Sequence, residues 1–223
     1  VKLTGTNTIT AKGLNYYGTD MAPNMVAGIV GAGMDSAIKN CTVENTTMTV
    51  AGLNDAYGWG ANVHDVGLLG GGLENTSLIG CTVTDSTLTV TGASAFGIGG
   101  LSGCAMGADE VTNCSVSNVT VTLGGNAYLT GGLVGYAGKA DGEVTELSGC
   151  TTADVSIHVG ALSSRIGGMI GGGFYLPIAL YRSYYPVPTS YSITGSTVTG
   201  AAVTAGANST ALGLVAGQGY LSS

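Results

Sequence analysis

Cysteine is the residue type of this chain whose spacing most directly suggests chemistry. Four of the five cysteines share one place in a repeated segment, which is filled by Cys41, Cys81, Cys114, Cys150 and, in a fifth copy, Ser196. Disulfides, a metal centre and a row of buried thiols are three uses of such a pattern. A metal is disfavoured because no second ligand stands at the required spacing, His64 being placed in a loop and His158 on an outward strand position. We therefore expect free, buried thiols and no metal; for Cys104 a disulfide stays open as the alternative to a packed thiol.

Carboxylates could serve hydrolysis if two or three gathered on one face, as in β-solenoids that cleave polysaccharides. Glu44, Asp85 and Asp154 lie near one bend of the repeat at differing offsets, and Asp35 shares a loop position with Glu74. Turn formation and solubility account for such scattered acids. The chain also has no Ser/His/Asp order, phosphate-binding loop or calcium-binding nonapeptide. We predict that the protein is not an enzyme and uses no cofactor, whereas the enzyme alternative requires a carboxylate pair in one groove.

Aromatic residues make up only 6% of the chain and concentrate in predicted loops, which include Phe96, Tyr128 and a Tyr- and Pro-rich insertion at 172–191. Rigid rings offer a large contact area at a low entropy cost, so this composition suits a recognition surface. The candidate contact residues are Phe174, Tyr175, Tyr181, Arg182, Tyr184, Tyr185, Tyr191, Tyr57 and Trp59. We predict contact with a glycan or a protein neighbour. A loop that packs back on the flank of the fold is the alternative.

Side chains alternate with a period of two in the segments that begin at the repeated cysteines, which indicates β-strands. Counted from the Cys or Ser as zero, apolar side chains recur at positions two, seven and nine, and mostly Thr or Ser at positions one and eight. The inward set includes Val43, Val83, Val116, Met48, Leu88, Val121 and Ile157. The phase predicts two short strands per segment, separated by a polar bend near Asn45, Asp85, Asn118 and Asp154.

A Gly-rich element of the type Gly131-Gly132-Leu133-Val134-Gly135 recurs between these segments and adds a third strand to each repeat. The zero positions are 40, 33, 36 and 46 residues apart, so the register is kept while the connecting loops vary. This combination is typical of a β-solenoid, in which each coil contacts only its neighbours. We predict an all-β parallel β-solenoid (β-helix) of five to six irregular coils with three short strands each, as one domain over 1–223. A β-propeller with one blade per repeat is the alternative.

The Gly-rich element, followed by an Asn-Cys or Gly-Cys segment such as Asn113-Cys114-Ser115-Val116, resembles the GLUG motif, a short repeat of bacterial surface and secreted proteins. The resemblance runs from Gly28 to Ala216 and implies a β-helical array in an extracellular or bacterial cell-surface setting. It implies no catalytic residue. Three departures stand out: Ser102 replaces the second aliphatic residue, Ser196 replaces the cysteine, and Asn is absent before Cys81 and Cys150.

Composition excludes some partners. Thirteen acidic residues against six Lys and Arg give a net charge of −7, so neither nucleic acid nor an anionic membrane is expected to bind. No run approaches the roughly 18 apolar residues of a membrane helix, so no membrane insertion is expected. Because the chain starts at Val1 without an initiator Met or a signal peptide, we expect a processed protein or an excised fragment.

Two surface features suggest a function. Thr47-x-Thr49, Thr87-x-Thr89 and Thr120-x-Thr122 would stack into a flat hydroxyl array that resembles the faces of ice-binding solenoids. The segment Thr8–Ala11 matches the end of a repeat and Gly213–Ala216 the beginning of one, which favours head-to-tail contact and a filament. We predict a noncatalytic extracellular module for adhesion or self-assembly. A carbohydrate-binding or polysaccharide-cleaving β-helix is the alternative, and an ice-binding solenoid is the third hypothesis.

Overall fold

The computed structural model describes residues 1–4, 7–12, 14–16, 19–21, 24–51, 62–92, 94–107, 110–138, 144–173, 175–176, 187–188 and 190–218. Within these ranges the regular elements are all β-strands, as a chain rich in Gly, Thr and Val favours. They are β1 (Lys2–Leu3), β2 (Asn7–Lys12), β3 (Leu14–Tyr16), β4 (Thr19–Met21), β5 (Asn24–Ala27), β6 (Val30–Met34), β7 (Ala37–Lys39), β8 (Thr42–Glu44), β9 (Thr46–Ala51), β10 (Asn62–Gly67), β11 (Gly70–Glu74), β12 (Ser77–Ile79), β13 (Thr82–Thr91), β14 (Ser94–Gly99), β15 (Ser102–Met106), β16 (Glu110–Thr112), β17 (Ser115–Leu123), β18 (Ala127–Gly131), β19 (Val134–Gly138), β20 (Val144–Ser148), β21 (Thr151–Val159), β22 (Ser164–Gly167), β23 (Ile170–Gly173), β24 (Tyr175–Leu176), β25 (Val187–Pro188), β26 (Ser190–Thr194), β27 (Thr197–Thr199), β28 (Ala202–Ala205) and β29 (Thr210–Gly213).

The strands form four parallel sheets that the chain visits in turn. Sheet 1 contains β5, β10, β14, β18, β22 and β29; sheet 2 contains β6, β11, β15, β19 and β23; sheet 3 contains β7, β12, β16, β20 and β26; sheet 4 contains β1, β2, β8, β9, β13, β17, β21, β27 and β28. Two short antiparallel pairs, β3–β4 and β24–β25, lie outside these sheets. The fold is therefore a parallel β-solenoid of about four turns, as predicted, and the propeller alternative is wrong.

The strand count per coil differs from the prediction. The Gly-rich element spans a corner: Gly132 and Leu133 separate β18 from β19, so the element holds the end of one strand and the start of the next and is not a single strand. The residues before each cysteine form a strand of their own in sheet 3. In contrast, the two predicted strands after the cysteine run as one in β13, β17 and β21. Each full turn thus has four strands where the sequence predicted three, and about four turns replace the expected five to six.

The predicted register and core are confirmed. Val83 pairs with Val43 and Val116, Leu88 with Met48 and Val121, and Val121 with Ile157, all in sheet 4. These residues are fully buried and line the lumen of the solenoid together with aliphatic residues of the other three sheets. Each fully buried aliphatic side chain contributes roughly 1.5–3 kcal/mol, so the lumen is the main source of stability.

Residues with a left-handed backbone lie at the bends of sheet 4 and before the repeated cysteines, and they explain two sequence signatures. The predicted bend residues Asn45, Asp85, Asn118 and Asp154 have φ between 49° and 53°, and they shift the inward phase of sheet 4 by one residue. The residue before each repeated cysteine, or before Ser196 in the last copy, also has positive φ: Asn40, Gly80, Asn113, Gly149 and Gly195. Asn and Gly are the residues that tolerate this conformation best. Gly before Cys81 and Cys150 therefore serves the same purpose as Asn in the other copies.

The Gly-rich corner brings the backbones of sheets 1 and 2 into contact. A Cβ on Gly131 would lie 2.0 Å from the Val134 carbonyl oxygen, and one on Gly135 would lie 2.5 Å from the Ile98 amide nitrogen of sheet 1. Both distances are too short for any side chain. The hydrogen bond from Leu69 N to Leu101 O shows that Leu69, not Leu68, aligns with the aliphatic residue of the next corner. Gly67–Gly70 and Gly213–Ala216 therefore align with the other Gly-rich corners with an offset of one residue.

Candidate functional site

Every strand of sheet 1 carries a left-handed residue at one register position. These residues, with φ between 53° and 65°, are Met25, Asp65, Gly97, Leu129, Arg165 and Ala211, and we call them the left-handed column. Such a residue acts as a bulge that interrupts alternation, so two consecutive side chains point away from the lumen. In β10, for example, Val63 and Val66 are buried in the lumen core, whereas His64 and Asp65 between them are half-buried outside it. The column therefore brings side chains of different chemistry to one outer surface.

The first of the two outward positions forms an aromatic ladder. The rings of His64 and Phe96 are 5.4 Å apart, those of Phe96 and Tyr128 are stacked at 5.6 Å, and the Arg165 guanidinium lies 4.7 Å from the centre of the Tyr128 ring. The prediction that His64, Phe96 and Tyr128 lie in loops is wrong, because all three are on paired strands of sheet 1. The bulge interrupts the period-two alternation of side chains in these strands, so the sequence pattern did not reveal them.

The left-handed column and the facing side chains of sheet 2 enclose a second, smaller core outside the lumen, which we call the outer cleft. Its centre is formed by Cys104, Leu129 and Tyr136, which are at most 5% exposed, with Phe96 and Met106 packed against them. Towards the N-terminal coils the cleft opens into a cavity of about 260 Å³. The cavity is lined by Met25, Ala32, Gly33, Met34, Asp65, Gly72, Leu73, Glu74, Cys104, Met106 and Tyr136.

Asp65 is the polar focus of the cavity. Its Oδ1 accepts a hydrogen bond of 2.9 Å from the Tyr136 hydroxyl, an interaction that spans two coils. Gly97 lies between them, where a Cβ would be 2.5 Å from the Tyr136 ring and 2.7 Å from Asp65 Oδ1. Burial raises the pKa of Asp65 to about 6, although the Tyr136 hydrogen bond acts in the opposite direction. Asp65 therefore changes its charge just below neutral pH.

The thiol of Cys104, which lies near Asp65, has low reactivity. Cys104 is 4% exposed, and its pKa is raised to about 12, chiefly by burial and also by the charge of Asp65. A thiol of this kind is a poor nucleophile at neutral pH, because the thiolate is the reactive form. Cys104 thus fills space in the outer cleft and leaves Asp65 as the group whose charge responds to the surroundings.

The repeated cysteines are buried, free thiols, as predicted. Cys41, Cys81, Cys114 and Cys150 are buried and free, and so is Cys104, for which a disulfide had been the alternative. The Cys150 thiol donates to the Val111 carbonyl oxygen at 3.1 Å, and Ser196 takes the next place in the row by donating to Leu147 O at 3.4 Å. In the described ranges no group of three His, Cys, Asp or Glu side chains could hold a metal.

Most of the predicted contact residues, namely Phe174, Tyr181, Arg182, Tyr184, Tyr185, Tyr57 and Trp59, lie outside the described residues. The backbone of Tyr175 pairs with Pro188 in the β24–β25 pair. Tyr191 is half-buried, packs against the lumen core and donates a hydrogen bond from its hydroxyl to the Gln218 carbonyl oxygen. Recognition by the insertion remains a prediction.

The enzyme alternative requires a carboxylate pair in one groove, and the acidic residues meet this requirement only in part. Asp35 accepts a hydrogen bond from Asn75 Nδ2 at 3.1 Å, and Glu44 forms an exposed ion pair of 3.3 Å with Lys2, so both serve local structure. Glu74, however, lines the same cavity as Asp65. The sequence paired Glu74 with Asp35, and Asp65 and Tyr136 were missed altogether. The sequence feature that could have revealed this site is the register position that Asp65 shares with Gly97 and Leu129. This position can be assigned only when the bulge in each strand is placed correctly.

Comparison with known families identifies one motif. Residues 94–122 match the family model of the GLUG motif. This range begins with β14 and reaches the last residues of β17, so the motif corresponds to one full turn through the four sheets. Comparisons with curated proteins and with solved structures give no significant match. No helix within the described residues is long and apolar enough to cross a bilayer. The chain thus carries a GLUG motif, and the motif is one coil of a parallel β-solenoid.

Proposed function

We propose that the protein is a noncatalytic module of a bacterial cell surface or extracellular structure that assembles by stacking coils end to end. The observation that carries this proposal is the apolar face of its last described coil. Leu212 and Val215 are 46% and 45% exposed, although Ile166 and Met169, the residues beside them in the preceding coil, are fully buried. A further coil on this face would bury both residues. The extracellular setting rests on the resemblance to the GLUG motif.

Strand pairing supports the same proposal. Among the described residues, β26, β27, β28 and β29 each pair with the preceding coil only, so one side of each strand presents backbone donors and acceptors. An unpaired strand edge of this kind is a template for another strand. The first described coil offers matching parallel edges, since β1 and β2 also pair on one side only. We take the stacking partner to be a second copy of this chain, because both faces then satisfy one another in a head-to-tail contact.

Electron microscopy and light scattering of the 223-residue protein over rising concentration test this function. We expect rods that lengthen with concentration. Val215→Lys would place a charge on the stacking face and shorten the rods, whereas His158→Lys, at an exposed position of β21, should leave them unchanged because β21 is already paired on both sides. Monodisperse monomers at all concentrations would overturn the proposal. Circular dichroism of both variants establishes that the coil itself remains folded.

Ice binding is a second candidate because the predicted hydroxyl array is regular. Thr47, Thr87 and Thr120 pair in register across three coils of sheet 4, and so do Thr49, Thr89 and Thr122. Ser156 and His158 interrupt both rows in the next coil. Thermal hysteresis of the purified protein is the direct measurement. A freezing point equal to the melting point would remove this candidate and leave the stacking proposal untouched.

A further inference from the structure

We propose that the cavity in the outer cleft binds the ammonium group of a small amphiphilic amine, with Asp65 as the counter-ion. The site lies on the side of the solenoid and is independent of the end faces that carry the stacking proposal. The charge of the lining, the shape of the cavity and the fixed position of the carboxyl group support this binding.

The lining carries negative charge that is not balanced from within. Asp65 and Glu74 are its ionisable carboxyl groups, and no Lys or Arg is among the described residues that line it. Asp65 forms no ion pair within the described residues, and its Oδ2 has no hydrogen-bond partner there. A carboxylate removed from water without a cation destabilises the folded state. A ligand that brings a positive charge to Asp65 relieves this penalty, so the site selects cations.

The rest of the lining selects an organic cation over a metal ion. Met25, Leu73 and Met106 surround the carboxyl group with apolar atoms, and Met25 packs directly over Gly72, where a Cβ would lie 2.9 Å from the Met25 Cγ. Hard divalent cations require six or more oxygen ligands, which this lining does not offer. An alkyl chain, in contrast, gains from contact with flexible thioether side chains. The volume of about 260 Å³ suits a small amine.

Tyr136 and Gly97 hold the carboxyl group in place. The Tyr136 hydroxyl binds Oδ1, and the absence of a side chain at Gly97 creates the space in which the two groups meet. Tyr136 is itself 5% exposed and packed in the outer cleft, so its hydroxyl is fixed before a ligand arrives. Met34 and Met25, which are 64% and 48% exposed, mark the mouth of the cavity. The ammonium group therefore enters between the methionines and meets Oδ2.

Nuclear magnetic resonance titration with n-butylammonium chloride at pH 7.5 tests the proposal, with 1-butanol as the neutral probe of the same shape. We expect saturable shifts of the amide resonances of Gly97, Cys104 and Tyr136 with butylammonium and none with butanol. Asp65→Asn removes the charge, keeps the shape and suits the left-handed backbone, since Asn tolerates φ near 53°. Affinity should fall at least tenfold in this variant and change less in Glu74→Gln, whose side chain is exposed at the rim.

The pH dependence gives an independent readout. The titratable groups around Asp65 are Glu74, Tyr136 and Cys104 in the cavity and His64 beside it on β10. Because Asp65 is mostly protonated at pH 5, affinity there should be about tenfold weaker than at pH 7.5, and this difference should vanish in Asp65→Asn. Nα-acetyl-lysine methylamide distinguishes a free amine from a lysine side chain of a protein. The proposal would be overturned if butylammonium bound the parent protein and Asp65→Asn with equal affinity. It would also be overturned if 1-butanol caused the same amide shifts as butylammonium.

Discussion

The lumen and the outer cleft are built on the same strands but follow opposite rules. In the lumen each register column repeats one kind of residue, as in Val43, Val83 and Val116, and the side chains are fully buried. In the outer cleft one column contains Asp65, Gly97 and Leu129 in successive coils. The first has an ionisable side chain, the second has no side chain, and the third has an apolar one. A lumen column has to repeat because each side chain packs on its copy in the next coil. An outer column is free to vary, and this freedom allows a solenoid to carry a localised site.

The largest difference in stability is expected between two variants of β17, one with a charge in the lumen and one with a charge on the outer surface. Val121→Asp puts an unpaired carboxylate into the lumen, where Val121 is fully buried, and should cost more than about 4 kcal/mol of unfolding free energy. Thr122→Asp, on the outward side of β17, should cost about 1 kcal/mol. Urea denaturation followed by circular dichroism measures both. Equal stability of Val121→Asp and the parent would show that the inward phase is wrong.

The next contrast concerns the contact between sheets 1 and 2. Gly135→Ala would place a Cβ 2.4 Å from Gly103 O and 2.5 Å from Ile98 N, so the two sheets must separate and the protein should lose about 3 kcal/mol or more. Gly195→Ala is the control, because the atom nearest to its Cβ would be Gly149 N at 3.9 Å and only its φ of +54° is unfavourable. That change should cost about 1–2 kcal/mol. Thermal unfolding of both variants checks the difference.

Asp65 should make stability depend on pH in the unusual direction. Its pKa is raised on folding from 3.8 to about 6, so the folded state disfavours the charged form. The resulting loss of stability is fully present above pH 6 and is relieved as the pH falls through 6 towards 3.8. Between pH 7.5 and pH 5, Asp65 should therefore contribute a gain of about 1 kcal/mol in unfolding free energy. Asp65→Asn should be more stable at pH 7.5 and should lose this part of the pH dependence; an identical pH profile would contradict it.

The smallest effect on stability is expected where a polar residue interrupts a column of buried valines in the lumen. Thr152 occupies a column that is otherwise Val, and its buried Oγ1 has no hydrogen-bond partner among the described residues. Thr152→Val should stabilise the protein by about 1 kcal/mol, because an unsatisfied hydroxyl is replaced by a methyl group of the same shape. Thr120→Val, on the outward face of β17, should change stability little. A loss of stability in Thr152→Val would mean that water or an undescribed residue satisfies this hydroxyl.

Much of the fold could be predicted because the lumen is a repeated hydrophobic pattern. The spacings of 40, 33, 36 and 46 residues between cysteine positions recur in the register of the strands, as in the contact from Cys81 N to Cys114 Sγ across 33 residues. The number of strands per coil could not be predicted in this way. Corners and strands in the Gly-rich element share one composition, and only backbone contacts such as that at Gly135 tell them apart.

By itself, the sequence determined the parallel stacking, the inward residues and the free thiols, because each follows from a local pattern that repeats in every coil. Only the tertiary structure decided where the outer cleft lies. Asp65 and Tyr136 are 71 residues apart, and their hydrogen bond exists because bulged strands of sheet 1 face sheet 2 across a side-chain-free space at Gly97. Such a contact depends on which side chain is present in each of three successive coils. No repeat contains that information, since it arises from the differences between repeats.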